Sequence, residues 1–131
     1  MPRFVLLRHL CPANFSRPSH WDLMLESGGT LQTWELRELP ALWAQQCGVE
    51  AVTDSNTVPV VRLPDHRLAY LDYEGPLTDD RGDVHRCDSG TYELLVRADS
   101  CQHIRLHGAL LGSDVQFEQY ETNYRVTASS S

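Results

Sequence analysis

The chain contains no lysine: its 11 basic residues are all arginines, set against 18 acidic ones, for a net charge of −7 over 131 residues. Nonspecific nucleic-acid affinity comes from Lys and Arg neutralising phosphates, so this balance argues against a protein that coats DNA or RNA. Any such contact must be local, short and salt-sensitive, made by a patch of several arginines. Also missing is any apolar run near the roughly 20 residues a membrane helix requires, so no membrane partner is expected. Met1 to Leu10 has no long apolar h-region and no small-residue cleavage site. With Arg3 and Arg8 inside a short apolar run, it reads as a first strand and not as a signal peptide. There is no Cys-x-x-Cys pair either. Cys11, Cys47, Cys87 and Cys101 lie far apart, which argues against a zinc site built from them and fits reduced thiols in a cytoplasmic protein, with a disulfide as the second reading. Internal repeats and linkers are absent, and only the tail 128–131 is expected to be disordered.

What remains is the composition of an ordinary folded protein, 41% hydrophobic and 22% charged, of a size that one domain spanning 1–131 accommodates. Apolar residues recur with period two in short runs separated by Gly, Pro, Asp and Ser, the pattern of many short antiparallel strands. The fold class expected is all-β: a small, closed or partly closed antiparallel β-barrel with one short helix. Closure removes exposed edges. Strands are expected at Phe4–Leu7, around His20–Glu26, and at Leu31–Leu36, Val58–Leu63, Leu68–Tyr73, Thr91–Arg97, His103–His107, Val115–Tyr120 and Tyr124–Val126. Ser27-Gly28-Gly29-Thr30 is a hairpin turn, because glycine accepts the positive φ of tight two-residue loops. Pro40 at a first turn, Ala41 to Gln46 and a terminating Gly48 predict the helix. Segment 49–57 reads as a loop.

Two constellations can carry chemistry. In His20-Trp21-Asp22 an offset of two on an extended strand sets an imidazole beside a carboxylate on one face, and His9 joins them if the first two strands pair. Two nitrogens and one oxygen with open positions suit Mn²⁺ or Zn²⁺. By periodicity alone, His-x-Asp is a weak signal and a solvated strand face is the favoured account. In the second, Asp65-His66 is followed four residues on by Tyr70, on the same face if the segment is extended. His66 is suited to bind phosphate or act as a general acid near neutrality, and Tyr70 to donate a hydrogen bond; a core tyrosine beside a loop histidine is the plainer account. His103, Arg105 and His107 alternate on what reads as a solvated face. His85 and Arg86, and the cluster Asp79, Asp80 and Asp83, read as polar loop.

The block Phe4 to Glu26, with its apolar strand, basic residue and His9, then His20-Trp21-Asp22-Leu23-Met24-Leu25-Glu26, resembles the signature of the 3′-phosphoesterase domain of bacterial DNA ligase D. Gly29 to Trp34 is similar to its Gly-x-Leu-x-x-Trp continuation. Asp65-His66-Arg67-Leu68-Ala69-Tyr70-Leu71-Asp72-Tyr73-Glu74-Gly75 resembles a second and more specific block, Asp-His-Pro-Leu-x-Tyr-x-x-Phe-Glu-Gly. Asp88-Ser89-Gly90-Thr91-Tyr92 is similar to a later stretch, and Leu106-His107-Gly108 with Leu111-Gly112 resembles the glycine-bearing hairpin that ends the fold.

The resemblance implies a small β-barrel that binds a divalent metal, Mn²⁺ first and Zn²⁺ second, and trims nucleic-acid 3′ ends by removing a 3′-phosphate or a terminal ribonucleoside in DNA repair. It implies His9, His20 and Asp22 as metal ligands, and His66 and Tyr70 as the residues that hold and protonate the phosphate. The partners implied are primer-template DNA, or DNA with a terminal ribonucleotide, and separate ligase or polymerase proteins. Two departures stand out. Met24 occupies the place of a family arginine, and a thioether cannot supply a bidentate cationic fork, a loss worth roughly 3 kcal/mol when one oxyanion donor is removed. Ten residues separate His9 from His20, about twice the family spacing, and Arg17 in that enlarged loop is the preferred relocated phosphate contact, ahead of Arg8, Arg37 and Arg62. Three readings follow: an enzyme on 3′ ends, a catalytically silent metal- or end-binding module, and an interaction protein that keeps only the barrel.

Overall fold

Period-two alternation is realised as nine antiparallel strands in a computed structural model that describes residues 1–98 and 100–130. They are β1 (Arg3–Leu10), β2 (His20–Ser27), β3 (Thr30–Leu36), β4 (Thr57–His66), β5 (Gly75–Pro76), β6 (Asp83–Ala98), β7 (Cys101–Gly108), β8 (Gly112–Tyr120) and β9 (Asn123–Ser129). Helix α1 (Ala41–Cys47) lies between β3 and β4. The order β1-β2-β3-β4-β9-β8-β7-β6 is closed by pairing of β6 back onto β1, so eight strands form an uneven ring, and β5 attaches to β6 outside it. No described helix is long and apolar enough to cross a membrane.

The two faces of each strand bury different things. Phe4 and Leu6, Leu23 and Leu25, Trp34 and Leu36, with Ile104, Leu106, Phe117 and Val126, fill the ring interior, and α1 adds Trp43 and Ala44. Trp43 is fully buried, and its indole N–H donates to Ser113 Oγ at 3.0 Å, so the ring is inserted without an unpaired donor. Gly48 ends α1 in the left-handed region, φ +70°. The intervening residues Val5, Leu7, Met24 and Leu31 point outward, yet they too are buried, packed with Val84 of β6 and with Leu71. The segment after β4 folds back over this outer face and makes it a second, smaller core.

Several expectations are corrected. Leu68–Leu71 is a 3₁₀ turn and not part of a strand, closed by Tyr70 N–H to the Arg67 carbonyl at 3.2 Å; turning there drops Leu71 onto Val5 and Leu7, which an extended chain would pass over. His85 and Arg86 are strand residues, because β6 begins at Asp83 to pair with the free side of β1, setting Arg8 opposite His85 and Leu7 opposite Arg86. The tail is ordered through Ser129: Ala128 is buried and pairs with Val115, its N–H donating to the Asn56 carbonyl. Ser131 lies outside the described residues. The glycine-bearing turn after β7 does not end the fold, since β8 and β9 follow it and are needed to close the ring. The turn at Gly28-Gly29 is as expected, with Ser27 paired to Thr30 and both glycines at positive φ.

Candidate functional site

Strand register assembles the first constellation. β1 and β2 pair so that His9 lies directly opposite His20, and Leu7 opposite Asp22; β2 and β3 then set Asp22 opposite Glu35, and Met24 opposite Thr33. All of these side chains share the outer face, under the returning segment. The face is not solvated: His20 is 0% exposed, Glu35 3%, Asp22 4% and His9 7%.

The hydrogen bonds orient the two imidazoles toward one point. His9 Nε2–H donates to the Arg81 carbonyl at 2.7 Å, which frees Nδ1, 3.9 Å from Asp22 Oδ2. His20 Nδ1–H donates to the Pro18 carbonyl at 3.0 Å, which frees Nε2, 3.4 Å from Asp22 Oδ2. A backbone acceptor on the far nitrogen is the arrangement that fixes a metal-binding histidine's tautomer. His20 Nε2 and Asp22 Oδ1 are buried with no hydrogen-bond partner, a cost a folded chain avoids unless something else occupies the place. Ligand atoms each about 2.1 Å from one ion lie about 3.0–3.5 Å apart. Asp22 Oδ2 lies in that range from His20 Nε2, at 3.4 Å, and slightly beyond it from His9 Nδ1, at 3.9 Å, so the donors gathered on this carboxylate fit a divalent cation.

Electrostatics divide the two rings. Burial holds the His9 imidazole below its ordinary value, against the pull of the Arg81 carbonyl, and His20 adds to the lowering. Burial works the same way on His20, but the Asp22 carboxylate, the Pro18 carbonyl and Glu35 outweigh it and hold that ring above its ordinary value.

Gly82 makes the Arg81 contact possible. Its φ is +94°, and a Cβ there would sit 1.9 Å from the Leu10 carbonyl oxygen. Only glycine lets the 78–82 turn press against the end of β1.

The second constellation stands over the first. His66 ends β4 and Tyr70 returns through the 3₁₀ turn, so their rings meet at 5.8 Å centroid separation, by a route other than the extended one expected. His66 Nδ1–H donates to the Pro64 carbonyl at 2.9 Å, leaving Nε2 free. Asp65 anchors this corner, accepting from Thr30 Oγ1 at 2.8 Å and Arg62 Nη2 at 3.1 Å. A cavity of about 100 Å³ has His9, Asp22 and Met24 on one wall and His66, Tyr70, Arg17 and Arg81 on the others. It adjoins a wider one of about 370 Å³ that Arg17, Arg67, Arg81, His66 and Tyr70 line.

The four arginines considered as replacements for the one absent at Met24 sort by position. Arg8 stacks on Trp21 at 4.8 Å, Arg62 lies over Trp34 at 5.4 Å, and Arg37 Nε donates to Glu35 Oε2 at 3.1 Å. Arg17 is the one of the four that lines both cavities, held by Glu35 Oε1 at 2.6 Å. Met24 is buried among Val5, Leu7 and Leu31 and presents only its edge to the smaller cavity.

Three participants escaped the sequence. Glu35 carried a signal, a lone acid amid the apolar residues of β3. Arg81 had none, since it lies in a turn crowded with acids. Cys11 comes within ligand distance of His9 and His20, with burial pushing its thiol pKa up. His103, Arg105 and His107 belong to an exposed face, where Arg105 and His103 pair with Asp114 and His107 with Glu93.

A family model described as the DNA Ligase D 3′-phosphoesterase domain matches residues 13–119. That span contains Arg17, His20, Asp22, Glu35, His66 and Tyr70, and begins after His9. No curated protein matches the chain.

Proposed function

The chain belongs to the DNA ligase D 3′-phosphoesterase domain family, and from that membership we propose that it is a divalent-metal-dependent phosphoesterase acting on nucleic-acid 3′ ends in DNA repair. The substrate is a strand ending in a 3′-phosphate or a terminal ribonucleoside, and Mn²⁺ is the preferred ion, with Zn²⁺ second. The observation that carries this reading is the pair of buried, unpartnered atoms, His20 Nε2 and Asp22 Oδ1, beside His9 and beneath the cavity that His66, Tyr70 and Arg17 line.

His9, His20 and Asp22 would hold the metal, which when bound polarises a phosphoryl oxygen and lowers the pKa of coordinated water. Everything else is supplied by the chain. The Arg81 and Pro18 carbonyls fix the two imidazoles, so no reorganisation is needed when a ligand arrives. Arg17 offers its remaining guanidinium donors to a phosphate in the cavity while Glu35 holds one of them. His66, its ring set by Pro64, and Tyr70 donate to the phosphoryl oxygens as charge develops there, and His66 is placed to return a proton to the departing oxygen. Leu63, Leu77 and Val84 close the same cavity with apolar surface, which strengthens each of these interactions by limiting water.

The test is Mn²⁺-dependent release of phosphate or nucleoside from a primer-template ending in a 3′-phosphate or one ribonucleotide, with His9→Ala as control. Turnover that the substitution abolishes supports the enzyme. A second reading, a silent metal- and end-binding module, draws on Met24, whose buried thioether places no cation where the family places an arginine. Metal binding without turnover would favour it.

A further inference from the structure

Glu35 is a charged residue in a costly position. It lies directly across from Asp22, and both are almost fully buried. Like charges opposed across paired strands repel, and burying each carries its own desolvation cost. A threonine or valine would continue β3 at lower cost. The two arginines beside it do not resolve the problem. Arg37 satisfies Oε2 and Arg17 satisfies Oε1, at 3.1 and 2.6 Å, but Asp22 Oδ1 and His20 Nε2 stay unpartnered.

Glu35 Oε1 faces that gap, 3.6 Å from His20 Nε2. One ligand atom from each of His20, Asp22 and Glu35 lies within 4.8 Å of the other two. A single divalent cation would relieve the opposed carboxylates and satisfy both orphaned atoms at once.

Resting on the metal-dependent reading above, we propose that Glu35 is a fourth protein ligand, completing a set of His9, His20, Asp22 and Glu35. Two imidazoles and two carboxylates make a harder, more oxygen-rich site than the three residues alone, which shifts preference toward Mn²⁺. Arg17 binds the same carboxylate from the cavity side, so the ligand and the phosphate-holding arginine are one linked unit. The competing set at this place is His9, Cys11 and His20, softer and suited to Zn²⁺.

The experiment titrates the full chain with Mn²⁺, following free ion by electron paramagnetic resonance and the bound ion by water-proton relaxation. Glu35→Ala and the isosteric Glu35→Gln are each expected to weaken binding by 10-fold or more, at least what the loss of an outer-shell partner costs at roughly 10–100-fold. Relaxivity per bound ion should rise in Glu35→Ala as water takes the vacated position. Arg17→Ala should bind Mn²⁺ no more weakly than the wild-type chain, because losing the guanidinium removes a competitor for Glu35 Oε1. Wild-type affinity and relaxivity in both Glu35 variants would overturn the proposal. So would Arg17→Ala losing as much affinity as Glu35→Ala, which would make Glu35 an anchor for Arg17. A thiolate-to-metal charge-transfer band in the Co²⁺-loaded wild-type chain would overturn it in favour of the Cys11 set. Failure of the wild-type chain to bind Mn²⁺ would instead remove the metal-dependent reading on which this one rests. If Glu35→Ala does not fold, Glu35→Gln, which keeps the side chain's shape, decides the matter by affinity alone.

Discussion

Asp22→Asn separates a metal site from a polar core. If Asp22 were structural, replacing it would break a buried interaction and lower stability in any buffer. If it is a ligand, the metal-free protein loses little, because Oδ1 has no partner to lose, and gains relief from the opposed Glu35 carboxylate. One interaction must be kept out of the comparison. His20 is held above its ordinary value of 6.5, so its pairing with Asp22 adds stability in full below that pH, and the contribution is lost as pH rises through the folded value. The EDTA melts are therefore repeated at rising pH until the difference between the two proteins stops changing, which removes this contribution from the comparison. In EDTA the variant should melt within a few degrees of wild type, or higher. In Mn²⁺ at 100 times its dissociation constant the wild-type chain gains about 2.7 kcal/mol. For a chain of this length that is about 10 °C in Tm, taking about 3–4 °C per kcal/mol between the values for smaller and larger domains. Asp22→Asn should forfeit most of that gain. Two melts by circular dichroism decide it: a variant that unfolds many degrees lower in EDTA, or that keeps the full Mn²⁺ shift, refutes the ligand assignment.

Arg17→Ala should lower kcat/KM on a 3′-phosphorylated primer about 100-fold, the scale of one lost transition-state donor, whereas Met24→Leu should leave it unchanged and cost under about 1.5 kcal/mol of stability. Unaltered phosphate affinity in Arg17→Ala would remove that residue from the site. Gly82→Ala forces a Cβ into the Leu10 carbonyl, so it should destabilise by at least about 1–3 kcal/mol and also weaken Mn²⁺ binding by displacing the Arg81 carbonyl from His9; urea titration and metal titration read the two effects. Thr30 and Arg62 hold the Asp65 carboxyl below its ordinary value of 3.8. Its contribution is then present above pH 3.8 and lost as pH falls through the lower folded value, so wild type and Asp65→Asn should differ in stability at neutral pH and converge in acid. A gap that persists in acid would show that the corner is held by something else.

The sequence made the strands legible because alternation is a local property. It made His9 and His20 legible as neighbours only on condition that β1 and β2 pair, and the register meets that condition. Burial of the site was not legible. His20, Asp22, Met24 and Glu26 read as the polar side of a half-buried strand, and nothing local says that residues some 40 positions later will cover them. The same long-range cover explains the error at Leu68–Tyr73. Extended by its apolar content, that stretch turns because Leu71 is drawn onto a core made by β1 and β2. Glu35 escaped for the complementary reason: alone on its strand it is a surface acid, and its meaning arises from Asp22 across the sheet.

The enlarged loop and the missing strand arginine are best understood as one change. Where the family pattern that this chain resembles has a cation on β2, this chain has Met24, which is absorbed by the outer core and packed with Val5, Leu7 and Leu31. A short connection from His9 to His20 would have no slack to replace it. The loop of this chain has ten residues, is pinned at its base by Cys11 N–H to Ser19 Oγ at 2.9 Å and tightened by Phe15 N–H to the Pro12 carbonyl at 3.0 Å. That leaves Arg17 free to cross the face of β2 and reach Glu35 on β3. A guanidinium on a loop would ordinarily lose much of its worth to conformational entropy, and the short contact with a buried carboxylate is what restrains it at the cavity wall. Exchanging the two devices tests their equivalence. Met24→Arg in an Arg17→Ala background should recover part of the lost kcat/KM if both arginines serve one phosphate, and should recover none if Arg17 acts only by neutralising Glu35.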